Sequence, residues 1–181
     1  LPSVVVDAVL AAEDADFYSH EGLDYLGMIR ALYKMVTRGK ISGGGSTITQ
    51  QTVKNMLLKP ERKFKRKFKE LILARRLEAS LTKDEILHIY LNIIYLGHGR
   101  HGIEEAAQYY FGVPARELSL SQAATIAGLI QSPEKHSPRK HPKSAKTRQT
   151  YVLKQMVRKG FLGDSEAKDE MKRPLPKLAP P

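Results

Sequence analysis

The chain of 181 residues contains no cysteine, so disulfides, thiolate chemistry and cysteine-based zinc sites are all excluded. Compartment stays open on that ground, because exported proteins also do without cysteine. No stretch approaches the roughly 20 consecutive apolar residues that span a bilayer. The opening "LPSVVVDAVLAAED" has no Met, no basic n-region and no signal-like core. It reads as a piece cut from a longer chain. Internal repeats are absent, and the one biased segment is the Pro- and Lys-rich tail at 173–181. No run alternates as a strand does, and no glycine fingerprint follows a strand.

What is present is helical periodicity and positive charge. Thirty basic residues stand against 19 acidic ones, a formal charge of +11, while 41% of residues are apolar, enough for a globular core. The excess charge implies a polyanionic partner: nucleic acid, phosphates or an anionic membrane surface. Ser3 caps a first helix through "VVVDAVLAAED". "DYLGMIRALYKMVTRG" sets Leu26, Ile29, Leu32, Tyr33 and Val36 on one face, with Gly39 as a stop. A glycine loop precedes a helix capped by Ser46 or Thr47 and ended by Pro60. A basic helix over about 61–80 follows. "TKDEILHIYLN" opens on a capping box, Thr82 to Glu85, and repeats Ile86, Leu87, Tyr90, Leu91 and Ile94 at helical spacing. Further helices are expected in "HGIEEAAQYYFG", "SLSQAATIAGLI", "SAKTRQTYVLKQMVRKG" and Asp164–Met171. The expectation is a mainly α fold with a single core.

Three stretches carry candidate chemistry. In "AAEDADFYSHEG", Glu13 and Asp14 fall where a helix ends, and the helix dipole disfavours anions there. Flanked by Ala11, Ala12 and Phe17, Glu13 has the setting of a general acid or base with a raised pKa. The same residues also read as a solvated turn with Phe17 in the core. In "ISGGGSTITQQTVKN", glycines admit close approach and the helix start offers free N–H groups to an anion. Gln51, Lys54 and Asn55 share a face there, and Gln50 adjoins them. No Gly-Lys-Ser/Thr follows, so this is not a nucleotide loop; a flexible hinge before a polar face reads equally well. In "KPERKFKRKFKELILARR", residues 59–76 hold nine basic residues against Glu61 and Glu70. Phe64 and Phe68 would pack one face, and Glu70 lies within salt-bridge reach of Arg66. A solvated charged face with one ion pair is the plain alternative. The six histidines form no metal set: His98 and His101 lack a matching acid pattern, and His20 reads as structural. "SLTK" and "SPRK" match Ser-x-x-Lys without the companion elements of penicillin-binding catalysis.

The order of these motifs is more specific than any one of them. "EDADFYSHEG", "GGSTITQQTVKN", "RKFKE" and "KDEILHIYLN", followed by "YLGHGRHGIEEAAQYYFG" and "RQTYVLKQM", resemble the peptidoglycan glycosyltransferases. These are the transglycosylase domains of class A penicillin-binding proteins and of monofunctional transglycosylases. The resemblance covers residues 1–162, with 163–181 left as a C-terminal helix and a linker-like tail. His136 departs from it, standing where an aromatic Tyr is expected.

The resemblance implies a lysozyme-like helical domain with a small membrane-proximal lobe at about 23–45. It implies an enzyme that polymerises lipid II, inverting the donor anomeric carbon and releasing polyprenyl diphosphate. Carried over residue by residue, Glu13 is the base and Glu70 the second catalytic carboxylate. Ser46, Thr47, Gln50, Gln51, Lys54, Asn55, Arg66 and Lys67 face the substrate. Asp14, Phe17 and His20 shape the first motif, and Lys83 is structural or reaches the substrate. Glu70 would orient the cations, bind a divalent ion such as Mg2+ or Mn2+, or position the donor; these three stay open. No organic cofactor is expected. The implied partners are lipid II, the growing glycan strand, an anionic membrane surface and a moenomycin-type inhibitor, with no nucleic acid; whether the full protein also carries a transpeptidase domain stays open. The implied location is the outer face of the bacterial cytoplasmic membrane, this chain being a soluble fragment without the anchor. Rival readings are a lysozyme-like glycan hydrolase and a non-catalytic basic module that binds membrane or nucleic acid. A hydrolase has no diphosphate to neutralise, so the basic set favours transfer.

Overall fold

A computed structural model describes residues 1–38, 45–57 and 63–180. The described chain is helical: α1 (Ser3–Glu13), α2 (Tyr25–Arg38), α3 (Ile48–Leu57), α4 (Lys63–Ser80), α5 (Lys83–Ile93), α6 (Gly102–Phe111), α7 (Leu120–Leu129), α8 (Pro142–Arg158) and α9 (Asp164–Lys172). Short 3-10 turns stand at Phe17–Ser19 and Ala115–Glu117. Among the described residues the only β feature is one isolated bridge, Tyr95 to His101. The mainly α expectation and the helix positions hold, except that Ser3 is the first residue of α1 and Pro2, with no side-chain cap, stands at its N-cap. The glycine loop at 39–44, Pro60 and Glu61 lie outside the described residues, as do the side chains of Leu32, Val36 and Phe64.

The single core expected from sequence is instead two compact units, Leu1–Ala15 with Ile94–Pro181, and Asp16–Ile93. Their origin lies in pairings that are distant along the chain. In the first unit α1 packs on α7 and α8, α7 on α8, and α8 on α9. Val5, Ala8, Val9, Leu10 and Ala11 of α1 are buried. Every residue from Ala123 to Leu129 of α7 is buried, as befits a helix apolar on all sides. A Ser119–Gln122 capping box, unread in the sequence, starts α7. Small residues let α7 and α8 approach: a Cβ at Gly128 would lie 3.2 Å from Arg148 Cβ. The buried Gln149 of α8 then donates to Ser121 and Thr125 of α7.

The tail expected to behave as a linker is docked on this unit. Ala179 N–H donates to the Tyr110 carbonyl (2.8 Å), and Arg139 donates to the carbonyls of Tyr109 and Ala179. Ala167 of α9 is fully buried. The hairpin between α5 and α6 is also clamped. Glu134 accepts from Tyr95 Oη (2.7 Å), His98 N–H and Lys140 Nζ, which together hold its carboxyl down at about 2.

In the second unit α3 packs on α4 and α5. Leu23, Val53 and Ala74 form its buried centre, with Leu71, Leu73 and Leu77 against them. The Thr82–Glu85 capping box forms as read: Thr82 N–H donates to Glu85 (2.8 Å) and Glu85 N–H to Thr82 Oγ1 (3.2 Å). Leu26, Ile29 and Tyr33 of α2 are 70%, 63% and 69% exposed, and Phe68 of α4, expected to pack one face, is 65% exposed. Periodicity identifies an apolar face without saying what covers it.

Gly22 links the first motif to α4. It sits at φ +86°, and a Cβ there would stand 2.9 Å from Glu78 Cγ and 3.1 Å from the Ala74 carbonyl oxygen. Gly22→Ala meets both the left-handed penalty and this contact. Chemical denaturation should show a loss of about 1–3 kcal/mol. An unchanged midpoint would contradict this placement.

Candidate active site

The second unit brings most of the candidate binding residues together. Thr47 is the N-cap of α3: its N–H donates to Gln50 Oε1 (2.7 Å), and Gln50 N–H donates to Thr47 Oγ1 (3.1 Å). Thr47 Oγ1 also donates to the Gly22 carbonyl (2.7 Å). Both side chains are buried. Thr47 and Gln50 therefore build the helix start and tie it to the first motif, where the sequence alone had them facing substrate.

Beside that helix start lies the charged centre. Lys67 Nζ donates to Glu70 Oε1 at 2.6 Å and to Ser46 Oγ at 3.0 Å. Glu70 is 4% exposed, whereas the Lys67 side chain is 48% exposed. A buried carboxylate thus holds a solvent-facing ammonium at the start of α3. The ion partner is Lys67, three residues before Glu70, in place of the Arg66 pairing expected from sequence. Two of the three ammonium donors are engaged by these bonds. Arg66 is half-buried on the same helix, and Lys54 and Asn55 are exposed on α3. Gln51 accepts from Tyr90 Oη at 3.1 Å, so α5 steadies it.

Glu70 was a candidate ligand for a divalent ion. Hard cations take several oxygen ligands. The charge partner of Glu70 is an ammonium, and no group of three His, Cys, Asp or Glu side chains gathers among the described residues. The carboxylate is thus engaged in an ion pair with Lys67.

Residues of the first motif are packed from below. Phe17 is fully buried, edge-on to Tyr18 and His20. Lys83 Nζ stands 4.4 Å over its ring. His20 Nδ1 accepts from Gly22 N–H (3.1 Å), which places the proton of the neutral ring on Nε2. Sequence reasoning missed Glu78. It accepts from Thr49 Oγ1 of α3 (2.6 Å) and Lys83 Nζ of α5 (2.7 Å), with its side chain 10% exposed. It joins three helices that carry the motifs. No helical period links residues 49, 78 and 83, so only the carboxylate's position just before a turn hinted at it.

Glu13 and Asp14 belong to the first unit. Glu13 is the last residue of α1 and half-buried. Asp14 caps the helix, its N–H donating to the Leu10 carbonyl (2.9 Å), and is 8% exposed. Arg148 of α8 is half-buried; its Nε lies 3.5 Å from the Gly128 carbonyl and its guanidinium 4.4 Å over the Tyr151 ring. Burial draws the Arg148 pKa below the usual value, while Tyr151 and the Glu13 carboxylate oppose that shift.

Residues 1–157 match the family described as Transglycosylase. Penicillin-binding protein 1A of Neisseria flavescens is 44% identical over 174 residues, covering 96% of this chain and 22% of that protein. Its counterparts in Pseudomonas aeruginosa and Aquifex aeolicus are 41% and 42% identical, each covering 97% of this chain and 21% and 24% of those proteins. The crystal structure of penicillin-binding protein 1A from Haemophilus influenzae aligns with a TM-score of 0.52 at 36% identity, over 55% of this chain and 15% of that one. The chain belongs to the transglycosylase family, as a domain of the kind found in class A penicillin-binding proteins, and its enzymatic class is that of the peptidoglycan glycosyltransferases. It spans about a fifth of the length of these curated relatives. Neither rival reading, the hydrolase or the basic binding module, finds support among them.

Proposed function

We propose that the domain polymerises lipid II, the growing strand acting as donor and a new lipid II as acceptor. The 4-hydroxyl of the acceptor attacks the donor's anomeric carbon and the polyprenyl diphosphate leaves, so an α-linkage becomes β in one displacement. A sugar hydroxyl is a poor nucleophile at neutral pH, and Glu13 takes its proton as the new bond forms. The leaving diphosphate gains charge that fixed donors must meet. Lys67 meets it with its third N–H, held in place by Ser46 and Glu70. Arg66 and Lys54 add positive charge, while Gln51 and Asn55 hydrogen-bond the sugars or phosphates. A moenomycin-type inhibitor, which mimics the donor, binds the same cations.

The observation that carries this reading is the Ser46–Lys67–Glu70 arrangement beside the Thr47-capped start of α3. It supports a site for a leaving diphosphate, which glycan hydrolysis does not need. Incubation with labelled lipid II tests it: glycan strands should accumulate with stoichiometric polyprenyl diphosphate. Shortening of preformed strands, with no polymer, would point to hydrolysis instead.

The substrate's lipid holds the reaction at a membrane, and the reading assigns it to the outer face of the cytoplasmic membrane. Among the described residues no helix is long and apolar enough to cross a membrane. Contact with the bilayer is assigned to α2, whose Tyr25, Leu26, Ile29 and Tyr33 are exposed. Because these side chains are exposed, changing them costs the fold little. Leu26→Asp with Ile29→Asp should weaken binding to phosphatidylglycerol vesicles about tenfold or more, from the lost apolar burial alone, with an unchanged melting temperature. Equal binding would remove α2 from the membrane.

A further inference from the structure

We propose that Glu78 is a positioning residue for the transfer: its carboxylate sets where the start of α3 lies on α4, and with it Ser46, the oxygen that holds Lys67 beside Glu70. The inference rests on the reading of Ser46, Lys67 and Glu70 as the diphosphate site.

Glu78 Oε1 accepts from Thr49 Oγ1 at 2.6 Å and from Lys83 Nζ at 2.7 Å. Thr49 lies in the first turn of α3, and Lys83 is the first residue of α5. One oxygen thus takes a donor from the opening turn of each helix, where the helix dipole favours an anion. The same side chain lies against the first motif. A Cβ at Gly22 would stand 2.9 Å from Glu78 Cγ, and the Gly22 carbonyl accepts from Thr47 Oγ1 at the cap of α3.

The trio is nearly buried. Thr49 is fully buried, and the side chains of Glu78 and Lys83 are 10% and 20% exposed. A buried ion pair adds little stability over well-packed apolar side chains of its size. What it adds is direction. Leu71, Leu73 and Leu77 pack against Val53 and Ala74, and apolar burial of this kind is non-directional. Hydrogen bonds, by contrast, are set in both length and angle. Glu70, Ala74 and Glu78 recur at i, i+4 and i+8, so the two carboxylates share one stripe of α4. They lie about 12 Å apart along its axis. The start of α3 is therefore tied to α4 at two points: Ser46 to Glu70 through Lys67, and Thr49 to Glu78 directly. One tie would let α3 pivot; two fix its angle, and Ser46 with it.

The test is kcat and KM for lipid II polymerisation, below every melting temperature, for the wild type, Thr49→Val, Thr49→Ser and Glu78→Asp, each alone and combined with Lys67→Met. Outright loss of the Glu78 charge would strand Lys83 and cost stability whatever its role, so these variants keep the ion pair's charges. Thr49→Val removes one donor, and Glu78→Asp draws the carboxylate back by one carbon. Each should lower kcat about tenfold while KM changes less than about twofold, because a misplaced ammonium is felt as charge builds on the leaving group. Thr49→Ser keeps the donor and should keep the wild-type kcat. With Lys67→Met present, Thr49→Val and Glu78→Asp should cost less than about twofold, since the group they position is gone. A lowered melting temperature with wild-type kcat, or an equal loss with and without Lys67, overturns the inference and leaves Glu78 a residue of the fold alone. If Lys67→Met is itself fully active, the diphosphate reading fails and takes this inference with it.

Discussion

Glu13→Gln is expected to lower lipid II polymerisation by about 10²–10⁴-fold, the usual contribution of a positioned base, while the chain stays folded. Glutamine keeps the length and shape of the side chain and removes only its capacity to take a proton. Glu13 is half-buried at the end of α1, so the substitution exchanges a partly solvated carboxylate for an amide of the same size. Melting should accordingly shift by no more than about 1 kcal/mol. Relief of an anion at the helix C-terminus works toward stability. The largest effect is thus on rate and the smallest on fold. Retained activity would leave the hydroxyl proton with no acceptor among the proposed residues and would require a different base.

Glu70→Gln is the second large effect, and its mechanism differs. Glu70 touches Lys67, and its proposed role is to fix the ammonium that meets the diphosphate. Glutamine still offers an accepting oxygen, but with the charge removed Lys67 is held only by neutral hydrogen bonds, to it and to Ser46. A drop in kcat/KM of about 10–100-fold is expected, from an electrostatic contact now misplaced in the transition state. Lys67→Met should cost a similar amount. The double variant should lose little more than either single one, because both remove one device. Strictly additive losses would show that the two act separately. Stability should fall by only about 1 kcal/mol, since Lys67 is half-exposed and water screens the pair.

What could be read from the chain, and what could not, follows the range of each signal. Local signals held. Thr82–Glu85 formed its capping box, the helices began and stopped near the expected residues, and Ile86, Leu87, Tyr90, Leu91 and Ile94 are buried. Signals that depend on a distant partner did not. Gln50 reads as one of a substrate-facing polar set, yet it is buried and shares a capping box with Thr47. Helical spacing allowed Glu70 both i−4 and i−3 partners, and Lys67 was chosen with Ser46 bridging from outside the helix. Phe68 and the α2 face were apolar in pattern, but pattern does not say whether protein or another phase covers them. The division into two units was hidden because α1 is completed by α7 and α8, more than a hundred residues later. Glu78 escaped assignment for the same reason: what it touches lies on other helices.

The most direct measurement is a single gel-resolved assay of labelled lipid II with wild-type protein beside Glu13→Gln, at matched folding. Long glycan strands from the wild type and none from the variant are the expected result. Equal polymer from both would contradict the assignment of Glu13 as base, and no polymer from a folded wild type would contradict the proposal that this domain carries the transfer.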